Sequence, residues 1–173
     1  MIRHALLATV LAVAMAGTAF AQAAAPTDPQ IAHIAYTAGQ IDIAAAELAL
    51  KKSTTPAVVE FATEMARDHK AVNDQALALV AKLGVTPEDN DTSKALSAAA
   101  TAEAAKLEAL NGPAFDAAYI ANEVAYHTTV NGALSTVLIP AAQNADLKAL
   151  LETGLTLFTE HLKHAEQLAT TIK

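Results

Sequence analysis

The segment PAVVEFATEMARDHKAVNDQALALVAKL, residues 56–83, carries the clearest helical pattern of the chain. Its apolar side chains recur every three or four residues, which places them on one face of an α-helix. These side chains are Val58, Ala62, Met65, Val72, Ala76, Val80 and Leu83. Pro56 suits the first turn of a helix, and Gly84 is a common residue directly after the last turn. The segment therefore predicts one long helix with one buried face.

Three further long segments repeat this pattern on either side of it. They cover residues 29–52, 113–139 and 144–172, and a shorter helical segment capped by Ser93 runs to about Leu110. Asp28 before Pro29 predicts a capped helix start, whereas Pro140 predicts a bend or an end. No segment shows the strict alternation of a half-buried strand. The sequence therefore predicts an all-α fold.

The shorter helix bears on the topology. Its ~18 residues would extend ~27 Å, which is enough to carry the chain back along most of a bundle. The third long helix would then run parallel to the second. This arrangement predicts a ferritin-like four-helix bundle with an additional short crossover helix between the second and third long helices. A plain up-down-up-down bundle is the alternative.

The first residues predict export. Met1 to His4 form a short basic start, Ala5 to Ala16 are uncharged and largely apolar, and Ala19-Phe20-Ala21 offers small residues where a signal peptidase cleaves. The apolar run is shorter than the ~20 residues that a membrane-spanning helix needs. We therefore expect a signal peptide over residues 1–21, a disordered leader over 22–27 and a bundle domain over 28–173. The expected location is the periplasm, with outer-membrane association as a further option.

Composition excludes several classes of function. The net charge of −7 without a basic cluster argues against nucleic-acid binding. The absence of Cys excludes disulfides, thiolate metal sites and thiol catalysis. No Gly-rich phosphate loop occurs, and the few Ser residues lie at helix caps or in mid-helix. We expect no transmembrane segment after the leader. The sequence identifies neither a protein partner nor the oligomeric state, and a homo-oligomer is one option.

Three histidines suggest a site inside the bundle. His69, His127 and His161 each lie at the centre of an apolar helix face and near the middle of their helices. In a bundle such positions meet at one depth, so the three imidazoles can converge. Burying an imidazole without a partner costs ~1–3 kcal/mol, and a shared metal ion would remove that cost. The alternative is that each ring is a core histidine with an ordinary hydrogen bond.

Two carboxylates could complete such a site. Asp42 lies in the middle of the first helix, and Glu123 lies one turn before His127 on the same face. Three histidines and a carboxylate suit one ion of Zn, Cu, Fe or Ni. A di-iron centre needs Glu-x-x-His on two helices, and this motif does not occur here.

Other polar residues on these helices have less specific predictions. Asp68 points about 100° away from His69 and is expected to form a hydrogen bond at a seam between helices. His164 is expected to pair with Glu160 on the surface, since residues four apart are neighbours on a helix. His33 is expected to be solvated or to serve in packing.

Several motifs resemble a large bacterial family called "domain of unknown function 4142". They are Leu48-Ala49-Leu50-Lys51-Lys52, Phe61-Ala62-x-x-Met65-x-x-Asp68-His69, Gly112-x-x-Phe115-Asp116-x-x-Tyr119, His127 and His161-Leu162-x-x-Ala165-x-x-Leu168. The resemblance covers about Asp28 to Ile172. It implies an exported, ferritin-like helical protein, often described as a predicted outer-membrane protein, in which His69, His127 and His161 are the recurrent histidines.

The chain departs from the family pattern at three positions. Asp42 stands where the family usually has Glu, Thr156 stands where many members have Pro, and Glu123 stands where an uncharged residue is common. The resemblance implies no defined biochemistry for the family.

Together these observations predict a periplasmic bundle that binds one metal ion through His69, His127 and His161, with Asp42 or Glu123 assisting. Its expected role is metal handling or stress tolerance, without enzymatic activity. The alternative is a structural or interaction protein of the cell envelope whose core histidines are hydrogen-bonded. A metal-dependent oxidoreductase ranks third, because no second metal or cofactor motif occurs.

Overall fold

The computed structural model describes residues 25–172, and within them all regular structure is helical. The helices are α1 (Asp28–Lys52), α2 (Pro56–Leu83), α3 (Asp91–Glu108), α4 (Gly112–Ala133), a π-helical turn (Leu134–Leu138), α5 (Ile139–Ala141) and α6 (Ala145–Ala169). The expected signal peptide and its cleavage after Ala21 lie outside the described residues. Between Ala25 and Ile172, no helix combines the length and apolar character that crossing a membrane requires.

Two of the helix starts differ from the prediction by a few residues. Asn90, not Ser93, caps α3, since its side chain accepts a hydrogen bond from the Ser93 backbone N–H. Ser93 is the third helical residue and completes a capping box, because its hydroxyl accepts from the Asn90 N–H. At the start of α1 the cap is Thr27. The two predictions failed by one to three residues because several capping residues stand in a row.

Asp28 has a structural role beyond its own helix. Its carboxylate accepts hydrogen bonds of 2.8 Å from the backbone N–H groups of Gln143 and Asn144. These donors lie in the loop before α6, so the carboxylate fastens the start of α1 to the start of α6. Bonds from backbone N–H groups to an ionised carboxylate are among the stronger hydrogen bonds in proteins.

Pro140 lies one residue before the end of the helix that contains it. Its ring excludes the usual bond to the carbonyl four residues earlier and clashes with that carbonyl, which belongs to Thr136. The chain responds with a wider turn, in which the Ile139 N–H donates to the carbonyl of Leu134, five residues back. The helical course therefore passes Pro140 after a π-helical turn and ends at Ala141, one residue after the position at which the sequence predicts a bend or an end.

The connections give the ferritin-like topology. Asn90 contacts Gln30 near the start of α1, whereas Lys52 at the end of α1 donates to the carbonyl of Glu108 at the end of α3. Because α3 runs from one end of the bundle to the other, α4 starts beside α2 and runs parallel to it. The Thr55 hydroxyl donates to Asp116 and joins the starts of α2 and α4. The crossover prediction is confirmed, and the up-down-up-down alternative is wrong.

The core has two apolar clusters separated by polar side chains. One cluster includes Ala46, Val58, Phe61, Met65, Phe115, Tyr119, Ile120 and Ala165. The other includes Ile31, Ile34, Leu134, Leu138, Leu147, Leu151 and Phe158. Between them along the helices lie five buried ionisable residues, which we call the polar layer: Asp42, His69, Glu123, His127 and His161. The site expected from the sequence thus lies at mid-bundle.

Gly39 offers a test of how closely α1 and α2 pack. A Cβ at Gly39 would collide with the side-chain amide of buried Asn73, which donates to the carbonyl of Tyr36. We expect Gly39→Ala to destabilise the fold by about 1–3 kcal/mol, as overpacking does. Gly132→Ala, where a Cβ meets nothing within 4 Å, should instead stabilise it by about 0.5–1 kcal/mol. Urea unfolding measures the free energy of unfolding of both variants. Equal changes would contradict the close contact between Gly39 and Asn73.

Candidate functional site

The polar layer is almost completely shielded from solvent. Asp42, Glu123, His127 and His161 are each 1% exposed, and His69 is 3% exposed. Asp42 comes from α1, His69 from α2, Glu123 and His127 from α4, and His161 from α6. Every long helix of the bundle therefore contributes to one site. All five residues predicted from the sequence are brought together.

Three of the ligand-type atoms form a nearly equilateral triangle. The Nε2 atoms of His69 and His127 are 3.4 Å apart. Oδ2 of Asp42 lies 3.5 Å from Nε2 of His69 and 3.6 Å from Nε2 of His127. His161 also offers a ring nitrogen, and the three histidines present nitrogens within 4.8 Å of one another.

The orientations of His127 and His69 are fixed by their neighbours. Nδ1 of His127 donates to the carbonyl of Glu123 at 3.1 Å, and because a carbonyl only accepts, the proton belongs on Nδ1. The lone pair of His127 is then on Nε2, which faces Asp42. The His69 ring stacks on Phe158 with 4.4 Å between ring centroids.

His161 is held from the opposite side. Its Nε2 lies 3.1 Å from Oδ2 of Asp68. Hydrogen bonding to Arg67 lowers the pKa of Asp68, so the carboxylate is ionised and accepts. This contact places the proton of His161 on Nε2 and the lone pair on Nδ1, which is buried and has no hydrogen-bond partner in the described part of the chain. The predicted seam contact of Asp68 is thus present.

Burial keeps the imidazoles neutral. It lowers the pKa of His69 to about 2, with the charges of His127 and His161 acting in the same direction. It likewise lowers the pKa of His127 to about 4 and that of His161 below its usual value. At neutral pH all three rings therefore present lone pairs and no charge.

The two carboxyls are in an unfavourable electrostatic environment. Burial raises the pKa of Asp42 to about 7, and burial together with the charge of Asp42 raises the pKa of Glu123 well above its usual value. Neither Asp42 oxygen, nor Oε2 of Glu123, has a hydrogen-bond partner among the described residues. The only donor to this pair among the described residues is the side-chain amide of Asn122, 3.4 Å from Oε1 of Glu123. Two adjacent carboxyls with so few donors form a site that either holds protons or attracts a cation.

Three groups of side chains in the described range have the spacing to hold a metal ion. They are His69 with His127 and His161, Asp42 with Glu123 and His127, and Glu64 with Asp68 and His161. The first two share His127 and together make up the polar layer. The third lies at the partly exposed seam between α2 and α6. The sequence pattern gave a prediction for Asp68 and His161 of this group but none for Glu64.

The prediction for His164 is wrong. Its Nδ1 lies 2.8 Å from Oε2 of Glu64 on α2, and Glu160 pairs with Lys163 instead. The spacing of four residues placed Glu160 within reach, but α2 packs against this face of α6 and supplies a better partner. His33 is half-buried on α1. The Glu64 contact was missed because it joins residues 100 apart in sequence.

Comparison with known proteins identifies the family. A family model described as "Domain of unknown function (DUF4142)" matches residues 13–168, so the chain belongs to this family. Among curated proteins, none shows significant sequence similarity to the chain. Among solved structures, CopM in the Cu(II)-bound form has a similar fold, with a TM-score of 0.65 and 15% sequence identity. The match covers 85% of this chain and 98% of CopM.

Asp42→Asn tests the carboxyl pair in the presence of a chelator. Because the folded-state pKa of Asp42 is raised to about 7 from 3.8, the folded protein holds a proton that the unfolded chain loses between these values. The stability contributed by this group is therefore full below pH 3.8 and is lost as the pH rises through 7. The amide that replaces the carboxyl cannot ionise, so we expect the variant to gain stability relative to the wild type between about pH 5 and pH 8.

The gain should be at most a few kcal/mol, since one pKa unit corresponds to about 1.4 kcal/mol. Urea unfolding at about pH 5 and at about pH 8 measures this gain in the free energy of unfolding. Glu47→Gln, an exposed change on the same helix, is the control and should show no such trend. A constant difference between wild type and Asp42→Asn across this range would contradict the burial of an ionisable pair.

Proposed function

We propose that the polar layer binds one divalent transition-metal ion. The ligands are His69, His127, His161 and Asp42, with Glu123 beside them. The observation that carries the proposal is the triangle formed by Nε2 of His69, Nε2 of His127 and Oδ2 of Asp42, with sides of 3.4, 3.5 and 3.6 Å.

The size of this triangle suits a transition metal. A point equidistant from corners about 3.5 Å apart lies about 2.0 Å from each, which is the usual distance from zinc to imidazole nitrogen or carboxylate oxygen. The unprotonated nitrogen of His127 points into this space, as the bond from Nδ1 to Glu123 dictates. His69, His127 and Asp42 therefore need no large movement to hold the ion.

Charge favours a divalent ion over a monovalent one. Three neutral imidazoles and two ionised carboxylates carry a charge of −2, which one divalent cation balances. A monovalent ion would leave one buried negative charge uncompensated, and such a charge is costly in a site of low polarity. The ion would also displace the protons that the raised pKa values of Asp42 and Glu123 retain.

Asp68 contributes by orienting His161. A carboxylate that accepts the N–H of a metal-binding imidazole fixes its tautomer and increases its basicity. The 3.1 Å contact between Asp68 and Nε2 of His161 has this arrangement. His161 would then bind the ion through Nδ1.

The role we propose is metal handling outside the cytoplasm. The similar fold of CopM, whose structure holds Cu(II), supports copper among the candidates Zn, Cu, Fe and Ni. The basic and apolar residues at the start of the chain support export to the periplasm. Tolerance of metal stress is the corresponding physiological role, and we propose no catalysis.

The second candidate is a structural protein of the cell envelope with hydrogen-bonded core histidines. The bonds of His127 to Glu123 and of His161 to Asp68 favour it. It does not account for the two Asp42 oxygens and the Nδ1 of His161, which lack partners among the described residues and which the ion would contact. Each such buried group costs about 1–3 kcal/mol.

Metal analysis of protein produced without a His tag separates the two candidates. We expect one ion per chain after equilibration with Cu²⁺ or Zn²⁺, and a higher melting temperature than in chelator. His127→Gln replaces an imidazole nitrogen of the triangle with an amide, a much weaker ligand for a transition metal, and should abolish both effects. His164→Gln, at the half-exposed Glu64 contact, should leave both unchanged. Wild-type protein without bound metal and without a thermal shift would disprove the proposal.

Asp68→Asn tests the support of His161. An amide cannot carry the full negative charge that polarises the imidazole, so we expect metal affinity to fall by about 10–100-fold with the stoichiometry kept at one. Competition with a chelator of known affinity measures the change. Asp74→Asn, on the exposed face of α2 with Lys70, is the matched control. Equal affinities of the two variants would show that Asp68 has no part in the site.

A further inference from the structure

A cavity of about 790 Å³ lies between α1, α3 and α4. Its roof is α3, which is buried only near its two ends, at Ser93 and Leu107. The middle of α3 covers the cavity with half-buried small or flexible side chains, among them Ala100 and Ala104. The cavity is large enough for hydrated ions, since one water needs only about 10–15 Å³ of such space.

The charged residues around this cavity are mainly acidic. Its lining includes five acidic residues and one lysine: Asp42, Glu47, Glu103, Glu108, Glu123 and Lys51. Glu103 is paired with Lys106, while Glu47 and Glu108 are exposed. Clefts lined by one sign of charge concentrate ions of the opposite sign.

The inner wall of the cavity is the carboxyl pair of the polar layer. Asp42 and Glu123 both line it and are both 1% exposed. Oxygens of both carboxyls lack hydrogen-bond partners among the described residues. The cavity therefore leads from an acidic rim to two buried acidic groups, with His127 directly behind them. Within the described part of the chain, both oxygens of Asp42 and Oε2 of Glu123 lack a donor, whereas Oε1 of Glu123 accepts from Asn122.

The other approach to the polar layer is the seam between α2 and α6, and its charges are already paired. Arg67 contacts both oxygens of Asp68 at 2.6 and 3.0 Å, and His164 contacts Glu64 at 2.8 Å. An approaching cation would meet the guanidinium of Arg67 and would have to displace these donors. At the inner wall of the cavity, the donor to these carboxyls among the described residues is the uncharged amide of Asn122, 3.4 Å from Oε1 of Glu123.

We propose that the cavity is a capture site for hydrated divalent cations and the route by which the ion reaches the polar layer. This inference rests on the proposed function. The rim gathers the ion, and Asp42 and Glu123 replace its water ligands. The seam between α2 and α6 holds His161 in place and takes no part in uptake.

Stopped-flow uptake of Cu²⁺ by the metal-free full chain tests the route. Glu47→Lys combined with Glu108→Lys reverses two exposed rim charges and should slow uptake by about tenfold at low ionic strength. The difference should shrink as salt screens the rim. Glu152→Lys combined with Glu166→Lys makes the same change of net charge on exposed positions of α6 and should leave the rate close to that of the wild type.

A steric pair of variants tests the route independently of charge. Ala100→Phe and Ala104→Phe fill the cavity from α3 and should slow uptake, while the affinity at equilibrium stays within a few-fold of the wild type. Ala98→Phe and Ala105→Phe, on the exposed face of the same helix, should have no effect on the rate. Glu64→Gln and His164→Gln at the seam should also leave the rate unchanged.

The outcomes separate this inference from the proposed function. The proposed route is wrong if the seam variants slow uptake, or if neither the rim charge reversal nor the two Phe variants slow it. The proposed metal site is unaffected by either result. A wild type that takes up no Cu²⁺ overturns both. Slower uptake in both the rim charge reversal and the two Phe variants, with the control variants unchanged, supports the capture site.

Discussion

Five ionisable side chains at one level of a helical bundle are the constraint that shapes this protein. Asp42 and Glu123 are almost completely shielded from bulk water there, and their polar neighbours include two imidazoles without charge and the amide of Asn122. An apolar layer of similar volume would often be equally stable or more stable. The stability of the fold must therefore come from the apolar clusters on either side, which hold the four long helices in register while the polar layer contributes little or opposes folding.

The arrangement of the helices follows from this layer. Each long helix contributes at least one polar residue at the same depth, so a shift of one helix along its axis would separate the group. The contacts that prevent such shifts lie at the two ends of the bundle. Asp28 holds the starts of α1 and α6 together, and Thr55 with Asp116 joins the starts of α2 and α4. The crossover helix α3 makes few buried contacts in its middle, which leaves the cavity beside the carboxyl pair.

Much of this could be predicted from sequence because it depends on periodicity. The apolar faces predicted the four long helices and the crossover, and the same faces placed His69, His127 and His161 in the core. The same periodicity predicted that Asp42 and Glu123 lie close enough to these histidines to complete the site. The partners of His161 and His164 depend on how two helices pack, and local spacing wrongly favoured Glu160 over Glu64 for His164. The π-helical turn was also missed, since Pro140 only indicates that a hydrogen bond is lost and does not show how the backbone compensates.

The π-helical turn at Leu134–Leu138 accommodates one more residue than an α-helical turn. It lies about two turns beyond His127, after the last residue that α4 gives to the polar layer. A chain one residue shorter there would lose only the extra residue of this wide turn, and only Pro140 and the stretch leading into α6 would change direction. One residue gained or lost between Phe115 and His127 would rotate a buried carboxyl or imidazole by about 100° away from its partners. Among descendants of a common ancestor, differences in length along α4 should therefore accumulate in this wide turn.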